Sequence, residues 1–441
     1  MMKRIFSIVL FAAAVLLLPT RSAVAQVNNY HSVLSEHTWH RLSVTQEGVY
    51  RLDYGTLQAM GVDMDQLNPD QIRVFGNPSG KLPEKNSEIR PDDLTEMAIV
   101  VEGAEDGSFD EGDKVLFYGQ EPTRWKLVDQ NGKTYQRERN YYSDTTYYYL
   151  CVDSGVDGLR VGEKSSLPVE DATTVISEFP DWVWHEEELF SPYFIGQNWF
   201  GEVISGDETL SIPFVFPNLV KEKNLRVVGT VYGRVSSGTM SYNIWVDDNH
   251  VVENKTIDYY KQHKYANPSV FEKQIVLDGD SAQFEMSFVP NPKASLYLDY
   301  VEIYGWRHLK CVGGVFPFRL MPSQFGNDKT AVWVQNTNAD YRLWEVTDPM
   351  SPIMQTGVLS GGNMVFATNE KTEKRYVMFK PSAAMDVVSW TAIPNQNLHG
   401  IALADNLILT SPIFLEQAQE LADYHTELDG LTSVVVDVNE I

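Results

Sequence analysis

The chain has 441 residues, 43% of them hydrophobic and 12% aromatic, a composition that builds ordinary cores and excludes disorder. Its 60 acidic against 35 basic residues give a formal net charge of -25, which repels phosphate backbones and excludes nucleic acid as an expected partner. A mean hydropathy of -0.26 excludes a multi-span membrane protein.

Residues 1–25 read as a signal peptide: Lys3 and Arg4 form the basic start, 5–18 the apolar segment, and Ala23-Val24-Ala25 the small-residue cleavage site. The apolar run is shorter than the roughly 20 residues a membrane span requires, and no cysteine follows the cleavage site to carry a lipid. The mature chain is expected to begin near Gln26, to leave the cytoplasm and to carry no transmembrane span. Two cysteines, Cys151 and Cys311, exclude a disulfide framework, although one bridge between them is possible. Both follow strand-like runs rather than sitting in a turn that would present a thiolate to a base, so buried free thiols are the default reading.

From 26 to 170 the pattern predicts an N-terminal β domain, with strands over 39–44, 48–52, 72–75, 97–101, 114–118 and 146–152 and one short helix over 53–60. Gly76-Asn77-Pro78-Ser79-Gly80 is a turn; as a phosphate loop it lacks both the Lys and the following helix. Asp106, Asp110 and Asp113 offer oxygen ligands to calcium, but the spacing departs from the EF-hand and no bidentate Glu stands at its end. A tight polar turn, pinned into the core by Phe109, is the expected structure.

Residues 161–181, polar and acidic with Pro168 and Pro180, are expected to be a linker. Over 181–310 six runs of period two (209–216, 225–231, 241–246, 271–277, 283–288 and 296–306) predict a β-sandwich or jelly roll. Trp182, Trp184, Phe190, Tyr193, Phe194, Trp199 and Phe200 crowd its entrance. Such rings suit a sugar-stacking platform, yet core and interdomain packing is their commoner use. A smaller β domain over 311–395 follows, with strands over 331–334, 342–346, 364–367 and 376–379 and a turn at Thr347-Asp348-Pro349.

Residues 396–441 change character. Short strands over 407–409 and 434–438 flank a helix of about five turns, with Ser411 as its cap, Pro412 in the first turn and Gly430 as its left-handed end. Phe414, Ala418, Leu421 and His425 recur at helical spacing. A helix between two such strands implies a right-handed parallel βαβ unit, and parallel strands are buried on both faces, so the domain is expected to continue past Ile441.

The run LILTSPIFLEQAQELADYHTELDG and the valine-rich strand after it resemble the opening of the gingipain-like cysteine peptidase domain, a caspase-like α/β fold. Upstream, SVLSEHTWHRLSVTQEGVYRLDYGTLQAMG, IRVFGNPSGKLPE, DGSFDEGDKVLFYGQ, QNWFGE, LDYVEIYGWR and LWEVTDP resemble, in that order, the N-terminal region of the type IX secretion sortases of that family. The fold expected is therefore mostly β: tandem antiparallel β domains, sandwich or jelly-roll-like, followed by the first βαβ unit of a caspase-like domain. The resemblance implies a cysteine peptidase that removes the C-terminal signal domain of type IX cargo at the cell surface, with cargo proteins and outer-membrane secretion components as partners and the periplasm or outer-membrane surface as its location. In that family the catalytic His and Cys lie on later strands of the peptidase domain, so no catalytic residue, cofactor or metal ligand is assigned to this chain.

The nine histidines, His31, His37, His40, His185, His250, His263, His308, His399 and His425, form neither HExxH nor a Cys/His zinc pattern, and no GxSxG elbow is present. A His-Gly pair carries the base in gingipain-like peptidases, but His399-Gly400 precedes the first strand of the segment and does not take that role. The alternative function is a non-catalytic surface β-sandwich protein that binds glycan or another protein through the aromatics between Trp182 and Phe200.

Overall fold

The computed structural model describes residues 31–128, 134–191, 199–259, 265–289 and 291–441, so the expected signal peptide lies outside them. Two compact units result: His37–Pro394, and Asn395–Ile441 with the described residues before His37.

The centre of the larger unit is an antiparallel sandwich. One sheet runs Glu178–His185, Ala294–His308, Leu225–Val235, Asn267–Ile275, with Glu202–Ser205 also paired to Ala294–His308. The other runs Leu210–Val215, Ser281–Phe288, Thr239–Val246, Asn249–Asp258. Period-two alternation does what the sequence promised: Met240, Tyr242, Ile244 and Val246 face inward to meet Phe284, Met286, Val227 and Ile303 in one core.

Strand pairing corrects the expected division at 170 and 311. Trp39–Val44 lies between Ser389–Ile393 and Thr146–Cys151, and Gly48–Asp53 lies between Met385–Asp386 and Lys114–Gly119. A single core then joins Leu42, Leu52, Phe117 and Leu150 to Trp344, Val377 and Phe379. The expected linker 161–181 is also structured. Gly162–Lys164 pairs in parallel with Ile353–Gln355, Thr174–Ile176 in parallel with Thr330–Gln335, and Glu178–His185 opens the sandwich. Each of these strands is a sheet edge whose partner is supplied from far along the chain, and two of them are only three residues long, so alternation has little room to register. A hairpin, Arg124–Leu127 with Tyr135–Glu138, also escaped the pattern reading.

The short helix is Tyr54–Ala59, with Asp53 as its cap: Asp53 Oδ1 accepts from Thr56 N at 2.8 Å and from the Thr56 hydroxyl at 2.7 Å. In the smaller unit, Asn406–Thr410 and Ser433–Asp437 form the expected parallel pair, in register from Asn406 with Ser433 to Thr410 with Asp437. The segment between them is less regular than a single helix. Pro412–Phe414 is a 3₁₀ turn, Leu415–Tyr424 is α-helical, and His425–Asp429 widens before Gly430 closes it at φ 67°. Ser411 makes no side-chain capping bond, correcting the expected cap. The stripe is corrected as well. Ala418 and Ala422 are the buried helix residues, whereas Phe414 is 56% and Leu421 47% exposed. Small side chains let the helix approach its strands closely, and the face that achieves this runs i, i+4 through the alanines.

Candidate functional site

Ligand crevices of open α/β sheets gather at the carboxyl ends of parallel strands, which here are Thr410 and Asp437. Both are engaged locally: the Thr410 hydroxyl donates to Ser411 O, and Asp437 Oδ1 accepts from Asn439 N at 2.9 Å. His399 is held in a turn, its ring Nδ1 3.0 Å from Ser32 Oγ, which also accepts from His399 N at 3.2 Å. Ser32 is only 2% exposed, so this Ser-His contact closes a loop and offers no approach to a scissile carbonyl. His425 pairs with Asp429 at 2.6 Å at the end of the helical segment.

Cys151 and Cys311 are unbridged and buried. Burial, with the negative charge of Asp153 beside it, pushes the Cys151 thiol up to about 11, and burial raises Cys311. Neither is a thiolate at neutral pH, so neither meets the first requirement of a nucleophile. In the 106–113 turn Asp106 Oδ1 accepts from Ser108 N at 3.0 Å and Asp113 Oδ2 from Asp110 N at 2.7 Å, while Phe109 is buried. One carboxylate oxygen each of Asp106 and Asp113 thus serves the turn itself.

Trp182, Phe190 and Phe200 of the aromatic crowd pack against other rings. Trp182 stacks on Trp125 at 4.0 Å, the Arg137 guanidinium lies 4.7 Å over Trp184, and Phe200 packs 5.1 Å from both Tyr232 and Tyr297. Phe190 lies 6.2 Å from Phe200; Tyr193 and Phe194 fall outside the described residues. Trp182, Phe190 and Phe200 are thus committed to ring packing, while Trp184 keeps 38% of its surface exposed.

What sequence reasoning missed is a charged junction around a cavity of about 240 Å³, lined by Glu47, Glu121, Asp181, Trp182 and Arg319 among others. Arg319 Nη2 donates to Glu47 Oε2 at 2.9 Å, across 272 residues of sequence, and Tyr118 Oη donates to Glu47 Oε1 at 2.6 Å. Burial works to raise the Glu47 carboxyl, but Arg319 and Tyr118 outweigh it and hold the group below its ordinary value. Asp181 bonds Arg307, and burial still lifts it. Glu121 is pushed up to about 7, by burial first and then by the charge of Glu47. The junction therefore holds one carboxylate more than its two arginines neutralise. Among the described residues no Ser, Thr, Cys or His lines the cavity, so its titratable groups are carboxylates and a guanidinium.

No protein-family model matches the chain, and comparison with curated proteins finds no match. Among solved structures it resembles dimeric latent PorU from Porphyromonas gingivalis, at 20% identity and a TM-score of 0.77, covering 94% of this chain and 39% of that one. This defines the class of fold: tandem antiparallel β domains followed by the first βαβ unit of an α/β domain. The particular fold is that of a PorU-like N-terminal portion, and the chain spans about two fifths of the length of the PorU chain it matches. A carbohydrate-binding module, CBM36 with calcium and xylotriose, aligns over 28% of this chain and 98% of its own at 12% identity, but its TM-score of 0.20 carries no argument. Among the described residues no helix is long and apolar enough to cross a membrane.

Proposed function

We propose that this chain is the non-catalytic β portion of a gingipain-like cysteine peptidase that acts as a type IX secretion sortase, removing the C-terminal signal domain of cargo at the cell surface after export. The observation that carries the reading is the agreement of two independent likenesses. The quoted sequence runs follow the family's order from Ser32 onward, and the fold aligns with PorU over 94% of the chain. The buried thiols add support, because Cys151 and Cys311 are unsuited to attack. The β domains would position or gate a peptidase domain in which a thiolate attacks the scissile carbonyl and a His moves the proton.

Two measurements test this. Deleting the coding region for residues 37–394 in the host should leave type IX cargo with its C-terminal signal attached, as read by mass spectrometry of surface proteins; normal processing would sink the reading. The purified chain should not turn over cargo peptides, and turnover abolished by a thiol alkylator would show that the reactive centre lies within it.

A further inference from the structure

One end of the sandwich carries a cavity of about 370 Å³ that the sortase reading leaves unused. Strand register explains what lines it. Ser205 pairs with Ser295, and Ser295 pairs with Arg234, so two hydroxyls and a guanidinium stand on one rung across three neighbouring strands. Ser236 follows the end of Leu225–Val235 and Lys293 lies in the turn that leads into Ala294–His308; both line the cavity. The intervening residues Ile204, Val235 and Ala294 are buried in the sandwich core, so the rung faces outward.

The guanidinium is pre-positioned. Arg234 Nη1 donates to Tyr265 Oη at 2.9 Å and its Cζ lies 4.4 Å from the centre of that ring, while Tyr265 Oη is 3.0 Å from Tyr297 Oη. Charge makes the place unusual. In a chain of net charge -25, this cavity is lined by an arginine, a lysine and three serines and, among the described residues, by no carboxylate. The carboxylate of neighbouring Glu208 is turned onto the backbone, accepting from Ser205 N at 3.1 Å.

We propose that this cavity binds a phosphate or sulfate group, carried as an ester on a molecule of sugar size. Two cations and three hydroxyls line the space, the Ser205 and Ser295 hydroxyls 3.4 Å apart, a set of donors that suits a tetrahedral oxyanion better than a flat apolar ligand. The volume falls at the lower end of the roughly 300–1,000 Å³ of small-molecule sites, leaving room beyond a bare oxyanion.

Calorimetric titration of the full chain at low ionic strength tests it, with glucose 1-phosphate, inorganic phosphate, inorganic sulfate and neutral glucose as probes. Glucose 1-phosphate should bind more tightly than either inorganic ion, glucose should not bind, and added salt should weaken the anions. Arg234→Gln and Lys293→Gln should each weaken binding about tenfold. Equal affinity for inorganic phosphate and its ester would assign the oxyanion alone and remove the sugar-sized part of the proposal. Lys293 is exposed, so its variant keeps the test open should Arg234→Gln disturb the Tyr265 stack. Absence of anion binding by the wild type, or affinity unchanged in Lys293→Gln and in a folded Arg234→Gln, overturns the site. Neither result bears on cargo processing.

Discussion

Arg319 is buried between Glu47, 2.9 Å from its Nη2, and the Trp182 ring, 4.9 Å from its guanidinium carbon. Removing one partner of such a pair leaves the other charged in a poorly solvated place, which costs more than the pair is worth. Arg319→Met should therefore destabilise the larger unit by about 3 kcal/mol, and adding Glu47→Gln should restore part of the loss; denaturant titration of the wild type, both single variants and the double variant measures the coupling. Glu121 acts with the opposite sign. Its folded pKa, about 7, exceeds the ordinary 4.5, so the folded state holds the proton more tightly; that contribution is complete in acid and is lost as pH rises through this window. Glu121→Gln stays neutral throughout. Its stability relative to the wild type should rise between pH 5 and pH 8 by about 1–2 kcal/mol, allowing for solvent at the cavity mouth, as read from melts at the two pH values.

The segment 412–430 shows how a local signal survives at the level of an element. Gly430 at φ 67° ends the helical segment where a Cβ would be strained, although nothing in the structure crowds the position. Gly430→Ala should cost about 1 kcal/mol, seen as faster amide exchange over 406–437 and unchanged exchange in the sandwich. The helix end was legible because glycine's backbone freedom is a property of the residue itself. The buried face was not, since whether Leu421 or Ala422 turns inward depends on how closely the strand behind will let the helix approach. The Arg124–Leu127 and Tyr135–Glu138 hairpin was invisible for a related reason. Arg137, on its second strand, bonds Glu186 and Glu302 of the sandwich segment, and Trp125, on its first, stacks on Trp182, so its stability comes from partners far along the sequence.

At the scale of the molecule, the sandwich is self-contained and the sheets around it are not. Every strand of the two sandwich sheets lies between Glu178 and His308, whereas Trp39–Val44 and Gly48–Asp53 take partners from residues 385–393. A fragment 178–308 should fold cooperatively and give dispersed amide resonances. A fragment 37–310 contains that sandwich, but its residues 37–177 should not fold with it, because their edge strands and half of a shared core would face water. Equal cooperativity in the two, measured by urea titration, would show the shared sheets to be dispensable. The sequence by itself determined the elements whose cause is local: period-two strands, the short helix that follows the second of them, the Gly430 terminus, and two thiols that follow strand-like runs and are buried. Only the tertiary structure decided which strands pair, that 161–181 belongs to sheets, and that Glu47, Glu121, Asp181 and Arg319 meet. Those contacts span up to hundreds of residues, and a side chain's neighbours at that range are fixed by the packing of the whole unit rather than by the residues beside it in the chain.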